Sequence, residues 1–372
     1  MGRKRRYMVM NWLNLSELEN LAKKQIEPTA FDYIASGAND EITLNNNVEA
    51  YKKIQLLPRR LSSNANPITK INIIGQDMSY PIIIAPTAFH GLANKKAENA
   101  TAQAAQQTDT TMVLSTLSNT TIEDAAQSNA NMWFQLYIFK DKKITLELIK
   151  KAESSNYKAL VITIDAPILG KRERDIRNEF HLPNHLSIAN LTEHMQEAEL
   201  GQRKSASSLE QFFKEQLDNS LSWKDIDWLS SQTKLPILLK GILHPDDAKL
   251  ALQAKVSGII VSNHGGRQLD TAISTIEALP GIAKIINKEI PLLIDGGIRR
   301  GSDILKAIAL GADAVLIGRP IIWGLADDGI NGIKDVINFL RDELKQSMQL
   351  VGCKNINDLT AEIIRKTTNQ DT

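Results

Sequence analysis

Cysteine is nearly missing from this chain. Its 372 residues include only Cys353, which excludes an intrachain disulfide and a thiolate-built metal site and fits a reducing compartment. Aromatic residues are sparse at 5%, and no apolar run approaches the roughly 20 residues of a membrane span. Net charge is missing as well. With 44 basic residues against 43 acidic ones, neither nucleic acid nor a membrane is an expected partner. The start, MGRKRRYMVMNW, is basic, but Asn11 and Asn14 break its apolar stretch, so it lacks the core of a secretory signal and reads as a tail before the first helix. The final NQDT carries no recognisable address. No G-x-G-x-x-G leads from a strand into a helix, which argues against a nicotinamide-binding Rossmann unit.

What is present is a rhythm. Hydrophobic content of 42% supports a sizeable core. Residues 15–25 have amphipathic spacing, with Leu15, Leu18 and Leu21 on one side and Ser16 as the expected N-cap. A second helix follows Pro28 and stops at Ser36-Gly37-Ala38-Asn39-Asp40. From about residue 80, apolar runs of strand length begin at Ile82, Met112, Met132, Ala159, Pro236, Gly258, Pro291 and Ala314, eight in all. They do not alternate, which is how strands buried on both faces of a parallel sheet read. Helical stretches lie between them at 95–107, 121–128, 141–154, 222–231, 245–254, 273–287 and 302–310. Eight such units predict an α/β fold, a (β/α)8 TIM barrel over 81–372, with 1–80 as a helical N-terminal extension packed on it. The rhythm breaks at 170–221, a polar stretch after the fourth strand that predicts a long lid loop. It holds His181, His185 and His194, whose irregular spacing reads as solvated loop histidines. No metal site is expected.

Chemistry in a barrel sits where the strands end. Here the ends carry Ala85-Pro86-Thr87-Ala88, Ser115, Gln135 with Tyr137, Thr163 with Asp165 and then Arg172, Lys240, Ser262, Asp295-Gly296-Gly297-Ile298-Arg299, and Gly318-Arg319. Polar groups at every end point to a ligand site. The small residues and arginines of the last two units suit a phosphate. With Gln, Thr and Lys side chains for heterocycle edges, a flavin mononucleotide fits, Lys240 lying where negative charge builds on reduction. The sixth end, Ser262-Asn-His264-Gly-Gly-Arg267, sets a base able to take a proton near neutral pH beside a cation able to clamp a carboxylate. That pairing suits proton removal next to a carboxylic acid.

These segments resemble the FMN-dependent L-2-hydroxy acid oxidase family, which includes glycolate and lactate oxidases. The likeness is carried by DYIASGANDE (32–41), IAPTAFHGLA (84–93), WFQLYI (133–138), LVITIDAP (160–167), LPILLKGI (235–242), SNHGGRQLD (262–270), DGGIRRGSD (295–303) and IGRPIIWGLA (317–326). The resemblance implies a set of roles. Pro86, Thr87 and Ala88 place backbone against the flavin. Ser115, Gln135, Thr163, Lys240 and Ser262 bind its ring and ribityl chain. Asp295, Gly296, Gly297, Ile298 and Arg299, with Gly318 and Arg319, hold ribityl and phosphate. Tyr33, Arg172 and Arg267 take the substrate carboxylate, and Tyr137 the hydroxyl region. His264 accepts the proton, and Asp165 pairs with its other nitrogen.

Departures from the glycolate oxidases bear on substrate. Leu117 stands where they carry tryptophan, and Phe213 where they carry a smaller residue, which together resemble lactate-preferring members. Thr87 resembles glycolate oxidases. The expected reaction is oxidation of a small L-2-hydroxy acid, L-lactate before glycolate, with FMN reoxidised by O2 to give H2O2. Three other readings stay open: a dehydrogenase passing electrons to a quinone or cytochrome, an oxidase of longer or aromatic acids, and a non-catalytic FMN-binding barrel. A homotetramer follows from the resemblance alone. The peroxisomal tripeptide of plant and animal members is absent, so the expected location is cytoplasmic.

Overall fold

The structure is a computed structural model and describes residues 10–62, 65–192, 211 and 214–365. Eight parallel strands close into a barrel: β3 (Ile82–Ile84), β4 (Thr111–Ser115), β5 (Asn131–Leu136), β6 (Leu160–Thr163), β7 (Ile237–Ile242), β8 (Gly258–Val261), β9 (Leu292–Ile294) and β10 (Ala314–Ile317), the last pairing with β3. Every barrel strand overlaps a run read from the sequence. The lack of alternation has a direct cause. Ile83, Val113, Trp133, Val161, Leu238, Ile260, Leu293 and Leu316, one from each strand, fill the barrel interior, while their neighbours face the surrounding helices. Burying large apolar side chains on both faces stabilises each strand by about 1.5–3 kcal/mol per side chain.

Two segments before the barrel were not expected. A short antiparallel hairpin, β1 (Ile71–Ile73) and β2 (Gln76–Met78), joins the barrel's interior cluster through Ile73 and Met78. Trp133, inside the barrel, donates its indole N–H to Gln76 Oε1 at 3.1 Å, so the ring is buried without stranding its one polar atom. The N-terminal extension thus supplies part of the barrel's own core.

The other unexpected segment is α3 (Ile42–Lys53), which follows α1 (Leu15–Gln25) and α2 (Pro28–Ala35). Glu41 precedes α3 in a left-handed conformation and gives no side-chain cap. The cap comes from far along the chain. Asp270 accepts from the backbone N–H groups of Thr43 at 2.8 Å and Asp40 at 3.1 Å. At α1 the N-cap is Asn14, whose side chain accepts from Glu17 N–H, rather than the expected Ser16, which lies inside the helix.

The helical layer comprises α4 (Ala97–Gln107), α5 (Ile122–Ala126), α6 (Lys142–Ser154), α7 (Glu173–Arg177), α8 (Trp223–Gln232), α9 (Pro245–Gln253), α10 (Thr275–Ile286), α11 (Gly301–Ala309) and α12 (Arg319–Val351). The seven expected helices are all present. The long helical segment after the last strand was not foreseen, and it breaks at Asp328–Gly329, where the backbone leaves helical angles. In the stretch expected as a lid, α7 and the turn at Ala189–Leu191 are described, while 193–210, 212 and 213 lie outside the described residues. Phe213 and His194 fall among those. No cluster of metal-ligating side chains occurs among the described residues.

Candidate active site

The strand ends converge on one cavity at the C-terminal mouth of the barrel. It is walled by nearly the whole predicted set: Pro86, Thr87 and Ala88 after β3; Ser115 ending β4 and Leu117 after it; Gln135 on β5 and Tyr137 just past it; Thr163 ending β6 and Arg172 after it; Lys240 on β7; His264 and Arg267 after β8; Asp295 to Arg299 after β9; Gly318 and Arg319 after β10; and Tyr33 from α2. Two predicted residues stand behind the wall instead. Ser262, expected on the flavin, is fully buried, and its hydroxyl accepts from Lys240 Nζ at 2.8 Å and from the His264 N–H at 3.1 Å. Asp165 reaches the cavity only through His264, which makes it a positioning group rather than one that touches reactants.

His264 occupies a left-handed backbone conformation (φ 57°), followed by Gly265 and Gly266, also at positive φ. A non-glycine residue there is strained by about 1–2 kcal/mol, and such strain collects at functional sites. Two contacts over-determine it. Gly266 N–H donates to the Asn263 carbonyl at 3.0 Å, and the imidazole Nδ1 lies 2.9 Å from Asp165 Oδ1. Burial pulls the Asp165 carboxyl up, but His264 and Lys240 outweigh it, so the net displacement is downward and the group is ionised. An ionised carboxylate can only accept, so Nδ1 carries the proton and Nε2 keeps a free lone pair. Burial draws the His264 pKa below its usual 6.5 against the opposing pull of Asp165, with Lys240 and Arg172 adding to the fall. At neutral pH it is a neutral base.

Room for this pair comes from a residue that was quoted only inside a motif. Gly241 (φ 119°) sits at the irregularity between β7 and β8, and a Cβ on it would come 2.6 Å from Asp165 Cβ.

Opposite the base stand two arginines and a tyrosine. The Tyr33 ring lies under Arg267 at 5.1 Å and Arg172 at 5.9 Å. The same ring stacks on Phe180, centroids 4.4 Å apart, a contact that no local pattern signals. Arg172 is 7% exposed, and its Nε has no hydrogen-bond partner. Burial, then Arg172, brings Arg267 down to about 10. Asp175 lies 4.0 Å from Arg172, and its pKa is raised by burial despite both arginines. Two cations facing one weakly engaged acid leave the cavity a net demand for an anion. Tyr137 has its phenol pushed up by burial and then by Asp165, so it stays protonated and donates.

Deeper in the cavity, Lys240 forms a buried ion pair with Asp295 at 3.0 Å. Burial disfavours its charge, but Asp295 and Asp165 raise its pKa overall. At the far end Arg299 stacks over Trp323 at 4.9 Å. Further residues missed by the sequence reading hold this frame from behind. Asn47 of α3 and Asn263 exchange amide hydrogen bonds at 2.9 and 2.8 Å. Buried His90 ties the Thr87 hydroxyl to Thr101, at 2.6 and 2.8 Å.

The profile of FMN-dependent dehydrogenases matches residues 22–366. The chain belongs to that family. It is 49% identical to the 2-hydroxyacid oxidase of Dictyostelium discoideum, over 95% of this chain and 90% of that one. To the L-lactate oxidase of a Nostoc strain it is 46% identical, over 95% of this chain and 98% of that one. Among solved structures, a mandelate oxidase with (S)-4-hydroxymandelic acid superposes with a TM-score of 0.90 at 35% identity, covering 95% of this chain and 98% of the other. This is therefore an FMN-dependent enzyme of the 2-hydroxy acid oxidase family.

The cavity of this family member suits FMN on its own evidence. Gln135 Nε2, a donor, and Asp295 Oδ1, an acceptor, are buried on its wall without hydrogen-bond partners. Buried polar groups are seldom left so without reason. A heterocycle edge and a ribityl hydroxyl are the partners these atoms match.

Proposed function

We propose that this enzyme oxidises a small L-2-hydroxy acid, L-lactate ahead of glycolate, to the 2-keto acid. The observation that carries the reading is the His264–Asp165 pair facing Arg172 and Arg267 across one cavity. Bound FMN supplies the two-electron acceptor and, with O2, the route to H2O2. Gln135, Lys240, Asp295 and Arg299 would hold it, with the backbone of Thr87–Ala88 and Gly318–Arg319. Arg172 and Arg267 fix the carboxylate, and Tyr33 and Phe180 keep the two guanidinium groups in place. Tyr137 donates to the hydroxyl region. His264 Nε2 takes the proton from the α-carbon or the hydroxyl, and Asp165 stabilises the imidazolium that results.

Leu117 supports lactate over glycolate. It is buried on the cavity wall and leaves space that a tryptophan would fill. A larger aromatic acid is the second reading, favoured by the close superposition on a mandelate oxidase. Anaerobic mixing of the FMN-loaded protein with L-lactate, glycolate and (S)-mandelate, followed by admission of air, separates these. Fastest bleaching by L-lactate with prompt recovery in air is the expected result. Fastest bleaching by glycolate overturns the pocket reading. Bleaching without recovery in air, but with recovery on adding a quinone, makes the enzyme a dehydrogenase.

A further inference from the structure

Arg319 begins α12 and lines the cavity, and the family pattern assigns it with Gly318 to the phosphate. Its side chain is engaged elsewhere. Nε donates to the Ile34 carbonyl at 3.0 Å, Nη2 to the Ser36 carbonyl at 2.9 Å and Nη1 to the Gly265 carbonyl at 3.0 Å. Ile34 lies in the last turn of α2 and Ser36 is its C-cap, where carbonyls lack helical partners and a cation is favoured. Gly265 lies between His264 and Arg267. A Cβ there would come 2.8 Å from Arg319 Nη1, so glycine is what lets the guanidinium approach the loop.

The Ser36 carbonyl also accepts from Arg267 Nη1 at 2.7 Å. One oxygen thus joins the guanidinium at the head of α12 to the one that faces the substrate carboxylate. Tyr33 is one residue before Ile34, and His264 one before Gly265. The planar fork of Arg319 therefore spans the two backbones that bear the carboxylate-binding and proton-accepting groups. Arg299 differs. Its Nη1 donates to the adjacent Ile298 carbonyl at 3.0 Å, and its guanidinium lies on Trp323.

We propose that the Arg319 guanidinium is a positioning group for the substrate half of the site, and that the phosphate is met by the Arg299 side chain and by main-chain N–H groups at the start of α12. This deepens the proposed function and rests on its assignment of the two ends of the cavity. Burial, and then Arg267 and Arg299, pull Arg319 down to about 9, so it remains charged under working conditions.

The test compares FMN with riboflavin, which differ by the phosphate alone. Deflavinated full-length wild type, Arg299→Met, Arg319→Met and Arg319→Lys are titrated with each flavin by fluorescence. The FMN-loaded forms are then assayed with L-lactate. Wild type should prefer FMN strongly, and Arg299→Met should lose most of that preference. Arg319→Met should keep the preference while its KM for the hydroxy acid rises about tenfold or more, the scale of a lost charge-assisted contact. Arg319→Lys should recover part of the KM. Loss of FMN preference in Arg319→Met matching that in Arg299→Met overturns the proposal. So does Arg319→Met with unchanged KM and reduction rate. Should Arg319→Met not fold, Arg319→Lys carries the same comparison, with lost FMN preference as the refuting outcome. A wild type that does not distinguish the flavins, or that no hydroxy acid reduces, would instead refute the underlying site assignment.

Discussion

His264 Nδ1 and Asp165 Oδ1 lie 2.9 Å apart although 99 positions separate them in the chain. The contact fixes the tautomer and leaves Nε2 as the base. It also opposes the fall that burial imposes on the His264 pKa, without reversing it. The His264 pKa is lowered, so the base is present above that value and lost as pH falls through it. The acid limb of kcat/KM should lie below 6.5, the usual histidine value.

Asp165→Asn removes the contribution that raises the His264 pKa. The acid limb should then move to still lower pH, while the plateau of kcat/KM drops by about 10²-fold or more as the imidazolium loses its partner. A pH–rate profile against wild type checks both. An unchanged plateau would show that Asp165 does not act through His264.

Gly241→Ala addresses the same pair from behind. The added Cβ would meet Asp165 Cβ at 2.6 Å, at a φ of 119° that L-residues rarely adopt. Stability should fall by more than about 1 kcal/mol, and turnover should fall too, because Asp165 must shift. Urea unfolding and flavin-reduction rates, measured on the same preparation, test the two effects separately.

Arg267→Met should raise KM for a hydroxy acid by roughly 10–100-fold, since a charge-assisted contact to a buried carboxylate is worth about 1.5–3 kcal/mol. The amide of the same substrate, which has no charge to clamp, should lose much less. Equal losses for acid and amide would remove Arg267 from the carboxylate site.

Leu117→Trp tests substrate size. Filling the space beside a buried wall residue should shift the lactate-to-glycolate ratio of kcat/KM toward glycolate by roughly tenfold, the discrimination expected for one methyl group at about 1–3 kcal/mol. A ratio that does not move places the specificity elsewhere.

The barrel was legible because its strands are buried on both faces, so each reads as an unbroken apolar run such as Ala159-Leu-Val-Ile-Thr163. The cavity wall was legible because strand ends in this fold share one mouth. What the sequence hid depends on partners far away. α3 reads as an Asn-rich, weakly amphipathic stretch, and its N-terminal cap is Asp270. Asn47 gains meaning only opposite Asn263, and Phe180 only against Tyr33. The hairpin at 71–78 was hidden for another reason. Its strands are three residues long, too short for a period, and they matter because they enter the barrel interior. The Ser16 N-cap failed by local competition. Asn14, two residues earlier, is among the strongest capping residues and captured the helix start.

The carbonyl of Ser36 serves Arg267 from 231 residues away and Arg319 from 283. During synthesis, α2 leaves the ribosome long before either partner exists. The strands can pair in sequence, neighbour to neighbour, but the Arg319 bridge must wait for the final barrel unit and closes a long loop. A chain stopped before residue 319 would hold most of the barrel wall and the direct Arg267–Ser36 contact, but not the fork that ties Ile34 and Ser36 to Gly265. The group that braces the two halves of the substrate corner is therefore among the last of the site residues to be made.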